Sequence, residues 1–155
     1  MKKILKIISY FFLFIFTVIL DRLTKLWVLH NFVSSEKNIF PFLKLSLAMN
    51  RGVSFGMFHF KTTFPFVALA TFIFFVIVAF GVYTFFRFKN NKNIFFEILV
   101  LAGALSNFVD RILYGGVIDF IDFYISSWHW PTFNFADMFI FIGIAGMFIR
   151  NLKDD

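Results

Sequence analysis

The chain contains no cysteine. This absence excludes disulfide bonds, thiolate metal sites and a cysteine nucleophile. Charged residues are also scarce, since Asp, Glu, Lys and Arg make up 15% of the 155 residues, whereas an ordinary soluble domain has about 25%. Hydrophobic residues make up 60%. A sequence with so much apolar and so little charged material belongs in lipid.

Four apolar stretches account for most of this surplus, at about residues 4–29, 64–86, 94–114 and 130–149. A helix needs about 20 apolar residues to cross a bilayer, and each stretch is long enough. The sequence therefore predicts an all-α integral membrane protein, a four-transmembrane-helix bundle. Residues 1–155 are expected to form a single membrane-embedded domain.

The basic residues indicate how this bundle is oriented. One side of the predicted spans receives Lys2, Lys3, Lys6, Arg87, Lys89, Lys92, Arg150 and Lys153. Loops rich in Lys and Arg stay in the cytoplasm, so both termini are expected there. The net charge of +6 follows from this topology. Nucleic-acid binding is not expected, because no basic stripe with interleaved polar residues lies outside the spans.

The first span could instead be a cleavable signal peptide, because it has a basic start and an apolar run. However, no small-x-small cleavage site follows, and the apolar pattern continues through Asp21–Lys25 to Leu29. A retained helix is the better interpretation.

The outer loop after this helix, at about residues 34–62, contains strand-like segments. Leucine alternates with polar residues from Phe42 to Leu47, which is typical of a strand. Its leucine face could lie on the membrane surface or against a second strand from Val53 to Phe58, with a turn at Asn50–Gly52 between them. The sequence thus predicts a small β-containing extracytoplasmic segment.

Polar residues inside or beside the spans gather at one depth, near the outer side. They are Asp21, Lys25, Asn107, Asp110, Arg111, Asp119, Asp122, Asn134 and Asp137. A charged residue at the centre of a span costs roughly 2.5–3.5 kcal/mol on insertion scales, so retained ones are functional candidates. Near the inner side only Glu97 is comparable, and it is interpreted as a boundary residue.

Each of these residues also has an ordinary structural explanation. Asp21 and Lys25 are four apart and could pair with each other on one helix. Asn107 could join two helices by hydrogen bonds. Asp110 with Arg111 could anchor a helix at the interface. Asn134 or Asp137 could cap the fourth helix.

Two carboxylates at this depth would support peptide hydrolysis. Like charges held close together cannot both ionise easily, so such a pair shares a proton and can activate water without a metal. A serine mechanism is less favoured, because Ser54 and Ser106 have no nearby His or Lys in sequence that would act as base. A zinc site built from the scattered histidines and Asp122 is also less favoured.

Four motifs in order resemble those of the lipoprotein signal peptidase family, also called signal peptidase II. Asp21–Lys25 is similar to its D-x-x-[ST]-K motif, and Asn50–Gly56 to N-x-G-x-[AS]-F. Gly103–Arg111, followed by Val117–Phe120, resembles the third motif. Phe133–Asp137 resembles the last. Small residues differ: Ala102 and Ser106 stand where the family often has glycine, and Val53-Ser54 replaces Ala-Ala.

The resemblance implies an aspartyl endopeptidase whose catalytic residues are Asp119 and Asp137. It implies supporting or substrate-binding roles for Asp21, Lys25, Asn50, Gly52, Asn107, Asp110, Arg111, Asn134 and Ala136. No metal or cofactor is implied. The implied location is the bacterial inner membrane, with the active site at its outer, periplasmic face.

The implied substrate is a prolipoprotein whose cysteine already carries diacylglycerol, cut on the amino side of that cysteine. Membrane lipid and globomycin-type inhibitors are the other implied partners. Two alternatives stay open at this point: a noncatalytic membrane lipoprotein-binding factor, and a small ion or proton transporter. A transporter would need polar residues across the whole membrane depth, which the apolar inner halves of the spans do not supply.

Overall fold

The computed structural model describes residues 2–33, 35–52 and 62–154. Along this part of the chain the order is α1 (Lys2–Asn31), β1 (Glu36–Phe40), β2 (Leu43–Asn50), α2 (Thr63–Lys89), α3 (Phe95–Tyr114), β3 (Val117–Ile125), β4 (Trp128–His129) and α4 (Phe135–Asp154). The predicted mostly helical architecture with a small β segment is confirmed.

Three helices, α1, α2 and α4, are long and apolar enough to cross a membrane. Their outer surfaces expose large apolar side chains such as Phe12, Phe75 and Phe141, as expected of helices that face lipid. Helix α3 carries Glu97, Asp110 and Arg111 within 20 residues, which is more charge than an apolar span has. That α3 also crosses the membrane stays a prediction.

Helix α3 is the most buried helix and contacts each of the other three. It packs closely on α4, because a Cβ atom on Gly103 would lie 2.5 Å from the carbonyl oxygen of Ala136. It ends at Gly115, whose φ of 68° is the left-handed conformation that commonly terminates helices. Strand β3 begins two residues later, at Val117.

The four strands form one antiparallel sheet in the order β1-β2-β3-β4. The predicted strand at Phe42–Leu47 is confirmed as β2, which extends further, to Asn50. Its observed neighbours are β1 and β3, while the alternative partner strand at 53–58 lies outside the described residues. One apolar face of the sheet packs on the end of α1, where Phe120 meets Val28 and Phe32.

Two boundaries differ from the sequence-based prediction. Helix α4 begins at Phe135 rather than near residue 130, because residues 130–133 lie along β3 and Phe133 pairs with Ile121. Asp119, which follows the predicted third span, lies within the nine-residue strand β3 rather than in a loop. This strand pairs with β2, about 70 residues earlier, so local patterning did not reveal it.

Candidate active site

Asp119 is held rigidly at the third position of β3, with about 1% of its surface exposed. One carboxylate oxygen accepts a hydrogen bond of 2.6 Å from the Asn134 side-chain amide. The other accepts one of 3.0 Å from Asn50, at the end of β2. Both oxygens are therefore oriented by amides from different elements.

Asp137 lies in the first turn of α4 and takes part in a reciprocal cap. The Asn134 side-chain oxygen accepts a 2.9 Å hydrogen bond from the Asp137 backbone N–H, while Asp137 Oδ2 accepts one of 3.2 Å from the Asn134 N–H. This is the geometry of a capping box, in which two unpaired amides at a helix start are satisfied together. The predicted helix cap is thus present, and it fixes the same carboxylate that the motifs imply is catalytic.

Asn107, on α3, links the two carboxylates to a buried lysine. Its amide nitrogen donates to Asp137 Oδ1 at 2.8 Å, and its oxygen accepts from Lys25 Nζ at 2.7 Å and from Asn134 at 3.1 Å. The side chains of Asn107 and Asn134 therefore form a continuous hydrogen-bond network between Lys25 and the two aspartates.

Behind these amides lies a charge cluster in which Lys25, Asp21 and Asp110 are fully buried. Lys25 Nζ lies 2.7 Å from Asp21 and 2.8 Å from Asp110, so the predicted pair within α1 is joined by a second acid from α3. Asp110 also accepts a hydrogen bond from Arg22. With two cations and two anions, the cluster is neutral, as burial requires.

Asp21 connects this cluster to the start of α4. Its Oδ1 accepts a 2.8 Å hydrogen bond from the Ala136 backbone N–H, and its Oδ2 accepts one of 2.6 Å from Ser106. An acid of α1 thus satisfies an unpaired amide of another helix, next to Asp137. Ala136 itself is fully buried.

Arg111 fixes the end of β2 to α3. Its guanidinium donates to the Asn107 backbone oxygen at 3.1 Å and to the Gly52 oxygen at 3.0 Å. The Gly52 N–H in turn donates to the Asn50 side-chain oxygen at 2.9 Å. Asn50, which orients Asp119, is held in this way.

The network therefore contains all the residues to which the motifs assign site roles. Sequence reasoning missed Arg22 as a partner and assigned no role to Ser106 in the cluster. Arg22 stood inside the first motif beside Asp21, which was a usable signal. Ser54 and His59 lie outside the described residues. Among those that are described, no group of three or more His, Asp or Glu could hold a metal ion.

Burial and, to a smaller extent, the nearby charge of Asp137 raise the pKa of Asp119 from 3.8 to about 7. Hydrogen bonds from Asn50 and Asn134 and the charge of Lys25 act in the opposite direction. A carboxyl with a pKa close to neutral can hold or release a proton under working conditions, which general acid–base chemistry requires.

Asp119 and Asp137 border one cavity of about 540 Å³. Asn50 completes its polar end. The remaining wall is mostly apolar and comes from Trp130–Phe133 and from the side of α4, including Phe141 and Ile144. These last two side chains are 72% and 52% exposed. The cavity thus extends from the two acids towards an apolar outer surface of α4.

A family profile described as signal peptidase (SPase) II matches residues 13–153. The chain belongs to the signal peptidase II family. A lipoprotein signal peptidase of Thermodesulfovibrio yellowstonii is 41% identical over 88% of this chain and 89% of its own length. One of Blochmanniella pennsylvanica is 38% identical over 96% and 92%.

Solved structures agree with this assignment. One bacterial membrane enzyme has a TM-score of 0.75 and 31% identity over 94% of this chain and 88% of its own. A second has a TM-score of 0.74 and 31% identity over 95% and 94%. The predicted family, membrane aspartic peptidase class and lipoprotein-processing activity are confirmed by membership of signal peptidase II. A noncatalytic binding factor and a transporter are correspondingly disfavoured.

Proposed function

We propose that this signal peptidase II family member removes the signal peptide from diacylglyceryl-modified prolipoproteins, with Asp119 and Asp137 as its catalytic pair. The single observation that carries the assignment of the pair is that both carboxylates border one cavity and have both oxygens fixed by hydrogen bonds. The cut is made on the amino side of the lipidated cysteine.

Hydrolysis requires one ionised and one protonated carboxyl. The ionised aspartate takes a proton from water, and the water oxygen attacks the scissile carbonyl carbon. The protonated aspartate gives its proton to the leaving nitrogen as the C–N bond breaks. The products are a signal-peptide carboxylate and a free amine on the cysteine. Burial and mutual repulsion disfavour two ionised acids, and thus maintain the required single proton.

The supporting residues hold Asp119 and Asp137 in fixed positions relative to each other. Asn134 contacts both aspartates, and Asn107 contacts Asp137 and Asn134. Lys25, Asp21 and Asp110 lie buried behind Asn107 and form a neutral cluster together with Arg22. Arg111 and Gly52 support Asn50. These residues act by position, because preorganised donors need no rearrangement during the reaction.

The cavity suits a lipidated substrate. A polar end with two acids would receive the peptide bond, and the apolar wall along α4 would let the diacylglyceryl chains stay among membrane lipids. Globomycin-type inhibitors would compete for the same cavity. Processing by the wild type that is insensitive to globomycin would count against this part of the proposal.

We further propose that all four helices span the bacterial inner membrane, with both termini in the cytoplasm and the site at the periplasmic face. The basic residues Arg87 and Arg150 lie together at the end of the bundle opposite to the aspartates. An excess of Lys and Arg at that end favours a cytoplasmic location for it.

The decisive experiment follows processing of a diacylglycerated prolipoprotein on gels by wild type, Asp119→Asn and Asp137→Asn. We expect each variant to lose at least about a thousandfold in rate, since an amide can neither accept nor donate the required proton. Glu36→Gln, at a side chain that is 58% exposed, is the matched control and should process normally. Well-expressed variants that cut at the wild-type rate would exclude this pair.

A further inference from the structure

Asp122, three residues after Asp119 on β3, is an acid that the proposed chemistry does not use. It is buried, with about 5% exposed, and its two oxygens lie 3.0 and 2.9 Å from His129 Nδ1 on β4. Lys44 Nζ, on β2, lies 3.7 Å from Oδ2. One carboxylate therefore joins three neighbouring strands.

His129 is the last residue of a very short strand. β4 has two residues, which pair with Ile125 and Tyr124 of β3. A strand this short has little stability of its own. The stacking of the His129 ring on Tyr124, at 5.4 Å between centroids, and the contact with Asp122 are side-chain interactions that can hold it.

The segment after His129 forms part of the cavity. Trp130, Pro131, Thr132 and Phe133 border the same space as Asp119 and Asp137, and are called the cavity wall here. The wall is fixed to β3 at both ends, where the Trp130 N–H donates to the Phe123 oxygen at 2.7 Å and the Phe133 N–H donates to the Ile121 oxygen at 3.1 Å. His129, the partner of Asp122, directly precedes Trp130 in the chain.

We propose that Asp122 and His129 are positioning residues, whose contact fixes the cavity wall and so orients the prolipoprotein against the catalytic pair. The proposal rests on the function proposed above. Neither residue borders the cavity, so the effect is transmitted through β4 and the wall. A shift of the wall weakens substrate binding without removing a proton donor or acceptor from the reaction.

The test measures KM and kcat for prolipoprotein cleavage in detergent micelles. His129→Ala and Asp122→Ala should each raise KM by roughly three- to tenfold and change kcat by less than about twofold. The double variant should resemble either single one, because the two residues act through one contact. Glu36→Gln, which removes the exposed partner of Lys44, should leave both constants unchanged.

Two substitutions distinguish positioning from a general loss of folding. The amide nitrogen of Asn lies close to where His places Nδ1, so His129→Asn should restore most of the KM. The longer Gln side chain places its nitrogen elsewhere, so His129→Gln should not. Hydrogen exchange at the Trp130 and Phe133 amides should accelerate in His129→Ala and return towards wild type in His129→Asn.

The outcomes separate the two proposals. If wild type cleaves and Asp119→Asn does not, but His129→Ala and Asp122→Ala keep wild-type KM and exchange rates, the positioning role is wrong and the catalytic pair stands. If wild type fails to cleave, the proposed function falls. In that case unchanged exchange at Trp130 and Phe133 would also overturn the positioning role.

Discussion

At the scale of single residues, stability and catalysis place opposite requirements on Asp119. Its carboxyl is enclosed by protein, lies near a second acid and receives two amide hydrogen bonds. The first two effects dominate, which is why its pKa rises to about 7. A site optimised for stability alone would not bury an acid in this way.

This pKa predicts how stability depends on pH. Because the folded pKa of about 7 exceeds the unfolded value of 3.8, the folded state retains a proton that the unfolded state has released. The stabilising contribution is complete below the unfolded pKa and declines as pH rises through the folded pKa, by at most about 1.4 kcal/mol per pH unit.

Thermal unfolding in detergent between pH 5 and pH 8 measures this effect. The unfolding temperature of wild type should fall with rising pH more steeply than that of Asp119→Asn, whose amide does not titrate. Parallel curves for the two proteins would show that Asp119 is not protonated in the folded state near neutral pH.

At the scale of the elements, the approach of α3 to α4 decides where Asp137 lies. An added Cβ at Gly103 would meet the Ala136 oxygen at 2.5 Å and an Ile140 side-chain carbon at 2.9 Å. The first contact is to backbone, one residue before Asp137, so side-chain rotation cannot relieve it.

We therefore expect Gly103→Ala to displace the start of α4. The substitution should lower the processing rate by at least about tenfold and the stability by roughly 1–3 kcal/mol. Gly81→Ala is the matched control, since an added Cβ there meets no atom within 4 Å. Processing assays and thermal unfolding of both variants check this. Equal behaviour of the two would mean that α3 and α4 are not tightly packed at Gly103.

At the scale of the whole molecule, ion pairs join the helices at the end of the bundle opposite to the active site. Glu97 of α3 is fully buried and accepts hydrogen bonds of 3.1 and 2.6 Å from Arg150 of α4. Arg87 of α2 lies 2.8 Å from the same carboxylate. The residue interpreted from sequence as a membrane boundary therefore joins three helices.

Glu97→Gln should weaken the bundle without changing the chemistry. It removes the buried negative charge that both arginines contact, and should cost about 1–3 kcal/mol. Thermal unfolding should occur at lower temperature, while kcat and KM of the folded enzyme stay close to wild type. A large change in kcat with unchanged stability would contradict this separation between the two ends.

Much of the architecture follows from sequence because it depends on local properties. Runs of apolar residues specify α1, α2 and α4, since backbone groups in lipid must be satisfied within a helix. The alternation of leucine and polar residues specified β2 for the same kind of local reason. The order of the four motifs was also sufficient to predict the family.

Tertiary structure alone decided how these parts meet. Strand β3 exists because β2 pairs with it from far away in sequence. Ser106 and Arg22 join the buried cluster only because α1 and α3 lie side by side. Asp122 is a similar case. The sequence places it near the aspartates, but does not show that its partner is His129 rather than a metal ion. Composition and periodicity show whether each segment faces lipid, water or protein. The contacts above depend instead on distances between segments, and only the packing of the whole chain fixes those distances.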